Sequence, residues 1–129
     1  MNNLEGVTNK IEITVTKKDT ARAFGSGELE VLATPRMVAL MEECAYKSLS
    51  PYLEEGSGTV GTLIEVKHLS ATPVGMRVWS ESVVTKVDGR CISFEIKAYD
   101  ECGLIGEANH QRFIVFNEKF TQKTYSKLK

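Results

Sequence analysis

The chain has 129 residues, 42% of them hydrophobic and 26% charged, which is apolar material for one core and too little length for two ordinary domains. Sixteen basic against seventeen acidic side chains leave a net charge of −1, without the basic excess of a nucleic-acid-binding surface. The opening MNNLEGVTNK lacks a secretory pattern, no apolar run approaches the roughly 20 residues that span a bilayer, and the three cysteines (Cys44, Cys91, Cys102) include no CxxC pair. A cytoplasmic chain with free thiols and no structural disulfide is expected.

No repeat, low-complexity stretch or Gly/Ser linker divides the sequence, so one domain over 1–129 is expected. Ile11-Glu12-Ile13-Thr14-Val15 alternates apolar and polar residues and reads as a strand. Residues 17–27, ending in Phe24-Gly25-Ser26-Gly27, read as a mobile loop, and 28–32 as a second short strand. The one strong helix starts at Thr34-Pro35, where threonine can accept a bond from first-turn amides and proline at the first helical position loses no hydrogen bond. It runs through MVALMEECAYKSL and stops before Pro51.

Four strands follow, over 60–70, 77–87, 91–99 and 104–116. The first two are separated by Thr72-Pro73-Val74-Gly75, the next pair by the hairpin signal Asp88-Gly89 and the last by Asp100-Glu101-Cys102-Gly103. The polar, lysine-rich tail from Asn117 is expected to fray. One long helix and then an unbroken run of hairpin-linked strands predict an α+β fold, an antiparallel sheet wrapped around a single helix. At 100° per residue, Met37, Val38, Leu40, Met41, Cys44, Ala45 and Leu49 form a stripe wider than a surface helix needs.

The same projection places Glu43 opposite the stripe, in solvent, and Glu42 at its edge beside Val38, Ala45 and Leu49. A partly desolvated carboxylate there has a raised pKa and is a better base, whereas a helix-flank glutamate that reaches water needs no such role. Alternation groups His68 with Val60, Ile64 and Val66 on the helix side of the sheet, as a hydrogen-bonded core histidine or as a proton carrier near neutral pH. Thr34 is explained by capping alone, although the first turn also offers free amides that could polarise a carbonyl. Eight helical residues rise about 12 Å, so Thr34 and Glu42 share a site only through a bridging group or across two subunits. His110 and Arg112 share a face with Leu104, Gly106, Ala108 and Ile114. Arg112 is read either as a clamp for phosphate or carboxylate or as an edge-strand residue paired to a surface acid, and His110 as structural. Two histidines without metal-ligand spacing suggest no metal site.

Ala33-Thr34-Pro35, the helix Met37-Val38-Ala39-Leu40-Met41-Glu42, Val60-Gly61-Thr62, and Val66-Lys67-His68-Leu69-Ser70-Ala71-Thr72-Pro73-Val74-Gly75 resemble the fluoroacetyl-CoA thioesterase family of hotdog proteins. Gly103 to Glu107, with His110 and Arg112, fits the same pattern, and the resemblance runs from about Ile11 to Phe116. It implies a hotdog fold, a homodimer with sheets joined edge to edge, and a catalytic set of Thr34, Glu42 and His68. It also implies contacts to substrate and CoA through Gly61, His68 and Arg112. The implied reaction is hydrolysis of a short-chain acyl-CoA to free acid and CoA, with coenzyme A entering as part of the substrate and no other cofactor. The aromatic lid of the fluoroacetyl-specific enzyme is not matched, since the segment before the helix has only Phe24 among small residues. Fluoroacetate specificity is therefore not carried over. A non-catalytic acyl-CoA-sensing module and a hotdog hydratase remain the alternatives.

Overall fold

In the computed structural model, which describes residues 3–128, the alternating N-terminal segment is strand β1 (Thr8–Thr14), with exposure alternating residue by residue. The loop expected over 17–27 is instead ordered as a 3₁₀ turn (Lys17–Asp19) and helix α1 (Ala21–Phe24). Local polar groups build it. Thr16 and Asp19 close a capping box, Thr20 Oγ1 accepts the Ala23 N–H at 3.2 Å, and Gly25 ends α1 at φ 73°. The short strand expected over 28–32 does not form. Val31 and Leu32 make single bridges to Pro73 and Thr20, because the segment is satisfied by two different neighbours and never by one ladder.

Helix α2 (Thr34–Leu49) buries Met37, Leu40, Met41, Cys44, Ala45, Ser48 and Leu49. Val38, expected in the stripe, is only half-buried, and Ser48 is enclosed because its hydroxyl donates to the Ala45 carbonyl at 2.6 Å. Each fully buried Leu or Met contributes about 1.5–3 kcal/mol, so this face anchors the helix to the sheet. Pro51 ends α2 as anticipated, within a 3₁₀ turn (Ser50–Tyr52).

The remaining strands are β2 (Ser57–His68), β3 (Arg77–Asp88), β4 (Cys91–Asp100) and β5 (Gly103–Phe116). All pair antiparallel in the order β1-β3-β4-β5-β2, and α2 packs against β1 to β4 on the inner face. This is the α+β hotdog arrangement, with β2 left as an edge. The polar tail does not fray: α3 (Asn117–Tyr125) is a helix with no buried side chain, while Lys129 lies outside the described residues.

Two bulges overturn face assignments based on strict alternation. In β2, Gly61 pairs with Arg112 and Leu63 with Gln111, leaving Thr62 extra. In β5, Leu104 pairs with Tyr99 and Gly106 with Ala98, leaving Ile105 extra. One added residue flips every side chain beyond it. Val60 therefore leaves the face of His68, and Gly61 joins it. Leu104 likewise turns outward while Ile105 is buried.

Candidate active site

The N-cap of α2 is Ala33, not Thr34. Ala33 is extended (ψ 138°), its carbonyl accepts the Met37 N–H at 3.0 Å, and no side chain caps the helix. Thr34 is thus the first helical residue and not the cap, and its hydroxyl is free for another partner. Its Oγ1 lies 2.7 Å from Nδ1 of His68, the last residue of β2. His68 pairs with Gly106, where an added Cβ would sit 2.7 Å from Met37 Sδ and 3.1 Å from the Lys67 carbonyl. The missing side chain lets the first turn of α2 settle onto the sheet beside His68. Burial lowers the pKa of His68 below the usual histidine value, with the Ser70 backbone acting in the opposite sense. A cleft of about 320 Å³ opens here, lined by Ala21, Ser26, Val31, Thr34, His68 and Ser70 among others.

Two turns along α2, Glu42 and Glu43 differ less in burial than expected: their side chains are 40% and 35% exposed. What separates them is the partner. Glu43 pairs with Lys47 one turn on at 2.7 Å, whereas Glu42 Oε2 faces Arg112 Nη1 at 3.5 Å. The environment of Glu42 is a guanidinium, not the apolar wall projected from the helix.

Arg112 is 7% exposed and lies on β5, between β4 and β2, so it is neither on an edge strand nor at the surface. Its Nε donates to Thr59 Oγ1 at 2.8 Å and its Nη2 to the Thr59 carbonyl at 3.1 Å. Nη1 serves Glu42 and, at 3.1 Å, His110 Nε2. The Tyr46 ring lies 5.8 Å from the guanidinium carbon. Burial lowers the Arg112 pKa and Glu42 opposes that, and the guanidinium remains cationic. Every guanidinium nitrogen has a partner inside the protein. Gly61 stands across from Arg112, and a Cβ on it would sit 2.7 Å from Glu42 Oε2 and 3.3 Å from Arg112 Nη1.

Two groups result: Thr34 with His68, and Glu42 with Gly61 and Arg112. Within one chain they stand apart. The helix rises about 12 Å from Thr34 to Glu42, and β2 advances about 20 Å from Gly61 to His68. Thr59, Tyr46 and the inner role of His110 were not picked out from the sequence. Alternation does put His110 with Arg112, but only the bulge at Thr62 turns Thr59 inward.

A family model described as fluoroacetyl-CoA-specific thioesterase matches residues 15–118. The fluoroacetyl-CoA thioesterase of Streptantibioticus cattleyicolor is 41% identical over 98 residues, covering 76% of this chain and 70% of that one. A solved structure of a fluoroacetyl-CoA thioesterase is 34% identical with a TM-score of 0.93, covering 100% of both chains. A variant of such a thioesterase, solved in complex with fluoroacetate and CoA, is 34% identical with a TM-score of 0.86, covering 90% of this chain and 98% of that one.

Proposed function

The chain belongs to the fluoroacetyl-CoA-specific thioesterase family and is an acyl-CoA thioester hydrolase, and from that premise we propose a homodimer in which Thr34 and His68 of one protomer face Glu42 and Gly61 of the other. The observation that carries this reading is the separation of the two groups along a strand whose outer edge is unpaired among the described residues. Such an edge is a template for a second strand, and a two-fold axis is the commonest way to supply one.

In the proposed dimer the two-fold axis passes through Glu65. Antiparallel pairing of β2 with its copy, centred on Glu65, sets Ile64 against Val66 of the second protomer, inward residue against inward residue. Thr62 is then extra in each strand, and Gly61 falls opposite the second protomer's His68. Directly opposed residues lie about 5 Å apart, which closes the gap that a single chain leaves open.

In this reading the acyl group of a short-chain acyl-CoA enters the cleft beside Thr34 and His68, while the missing side chain of Gly61 lets the Glu42 carboxylate lie close against β2. The amides of Thr34 and Arg36, which have no intrahelical carbonyl to bond, stand at the positive end of α2 near the thioester oxygen. In one route the Glu42 carboxylate removes a proton from the water that adds to the carbonyl carbon, and that proton passes on to neutral His68. In the other the carboxylate itself adds and forms a mixed anhydride, which water then opens while His68 takes the water's proton. The carbonyl electrons move to oxygen and return as the C–S bond breaks. CoA leaves as a thiolate, and His68 passes a proton to it. Lowered basicity keeps His68 neutral before reaction and able to take that proton up. Thr34 holds the imidazole and donates to the substrate, while Arg112 aims Glu42. The chemistry asks for no cofactor beyond the CoA that arrives with the substrate. No helix among the described residues is long and apolar enough to cross a membrane, and the balanced charge and free thiols suit a cytoplasmic enzyme.

Thiol release across a panel of acyl-CoA chain lengths tests the assignment. Glu42→Ala and His68→Ala should each lower kcat about 10²- to 10⁴-fold with little change in KM. An enzyme that releases no thiol from any acyl-CoA, or variants that lose affinity at unchanged turnover, would overturn it.

A further inference from the structure

His110 is 1% exposed and lies behind the residues assigned above, with both ring nitrogens engaged. Nδ1 is 2.7 Å from the Leu63 carbonyl and Nε2 is 3.1 Å from Arg112 Nη1. A carbonyl can only accept and a guanidinium can only donate, so both bonds exist together only when Nδ1 carries the proton and Nε2 is bare. The two partners fix one tautomer of one charge state. Phe94 of β4 packs against the ring at a centroid distance of 5.7 Å and offers no competing partner. The charged groups that act on it are Arg112 on its own strand and Glu42 from α2, while β2 contributes the Leu63 carbonyl and the Gly61 backbone.

Both contacts of the ring bear on Glu42. The Leu63 carbonyl follows directly after the bulged Thr62, so the Nδ1–H bond ties down the irregularity that places Gly61 opposite Arg112. The Nε2 contact holds Nη1, the same nitrogen that reaches Glu42. Thr59 holds Nε and Nη2 on one side of the planar guanidinium, and His110 and Glu42 take the N–H groups of Nη1 on the other.

We propose that His110 is a positioning residue of the thioesterase site, a neutral imidazole that accepts from Arg112 and donates to the β2 bulge, so that the guanidinium and the Glu42 carboxylate keep one mutual orientation. The consequence for turnover rests on the role proposed for Glu42; the consequence for Arg112 does not. A second proton on the ring would set N–H against N–H at Nη1 and release the guanidinium from this side. Burial and Arg112 both oppose that protonation, while the Leu63 carbonyl and Glu42 favour it, and the balance lies below the ordinary histidine value.

The test uses full-length enzyme labelled with ¹⁵N in histidine and arginine. At pH 7, two-bond ¹H–¹⁵N spectra should show His110 as the neutral Nδ1–H tautomer. A ring protonated at Nε2, alone or at both nitrogens, would overturn the proposal, and this holds even if no variant folds. His110→Phe should shift and broaden the Arg112 side-chain resonances and lower kcat about tenfold or more with KM little changed. His110→Gln, which restores an acceptor for Nη1, should recover the Arg112 signals and bring kcat to within about threefold of wild type. Arg112 signals that His110→Phe leaves unmoved would also sink the idea. Wild-type enzyme that releases no thiol while His110 and Arg112 behave as stated would remove the thioesterase mechanism and leave the positioning contact standing.

Discussion

Thr34 Oγ1 and His68 Nδ1 lie 2.7 Å apart, joining the first turn of α2 to the last residue of β2. The contact exists because Ala33 provides the helix N-cap from its backbone and leaves the threonine hydroxyl uncommitted. Thr34→Ser keeps the hydroxyl and should stay within about tenfold of wild-type kcat. Thr34→Val keeps the shape, removes the hydrogen bond and should lose about 10²-fold, with little loss of stability because the residue is exposed. Steady-state kinetics beside a thermal melt checks both; equal activity of the two variants would remove the hydroxyl from the mechanism.

If each site takes Glu42 from one protomer and His68 from the other, two dead variants should rescue each other. In a mixture of Glu42→Ala and His68→Ala chains paired at random, half the dimers are mixed and each mixed dimer has one intact site of two. About a quarter of wild-type activity should return. Refolding the two variants together and measuring thiol release decides this. A mixture as inactive as its components would show that Glu42 and His68 serve from one chain.

Gly61→Ala would set a methyl group 2.7 Å from Glu42 Oε2. The carboxylate is at the end of a flexible, partly exposed side chain, so the chain can fold by swinging it aside. The expected result is a stability change of roughly 1 kcal/mol or less and a drop in kcat of about 10- to 100-fold, because a displacement of about 1 Å at a reacting group is that costly. Denaturant melts and kcat measured on the same preparation separate the two effects.

Both histidines have folded-state pKa values below their ordinary 6.5, each chiefly through burial. An unfolded chain takes up those protons near pH 6.5 and the folded chain resists until lower pH. Their contribution is therefore fully present above about pH 6.5 and is lost as pH falls through the folded values. Urea midpoints should be flat from pH 8 to 7 and decline from there toward pH 5. The slope should shrink in His110→Gln, which has one fewer such group. A midpoint that rises on acidification would contradict the sign.

Much of this protein is legible along the chain. The 3.6-residue stripe of α2, the turn chemistry at Asp88-Gly89 and Asp100 to Gly103, and the long alternating runs are local patterns, and burial of one face enforces them wherever they occur. They delivered the helix, four late strands in sequence order and the residues Thr34, Glu42 and His68 as candidates. The motif around Thr72 was also visible, though its role was not: the Thr72 hydroxyl donates to the buried Asp100 at 2.7 Å and its carbonyl receives the Leu32 N–H, a structural clip.

What the tertiary structure alone decided concerns pairing. Whether a residue is extra in a strand depends on its neighbour strand, so the bulges at Thr62 and Ile105, and with them the inward turn of Gly61 and Thr59, have no local signature. Whether the Thr34 hydroxyl finds a partner depends on where His68 arrives from the sheet. Whether Glu42 meets an apolar wall or a guanidinium depends on a strand seventy residues away. Periodicity reports which face of an element is buried, while the partner waiting on that face is set by contacts distant in sequence.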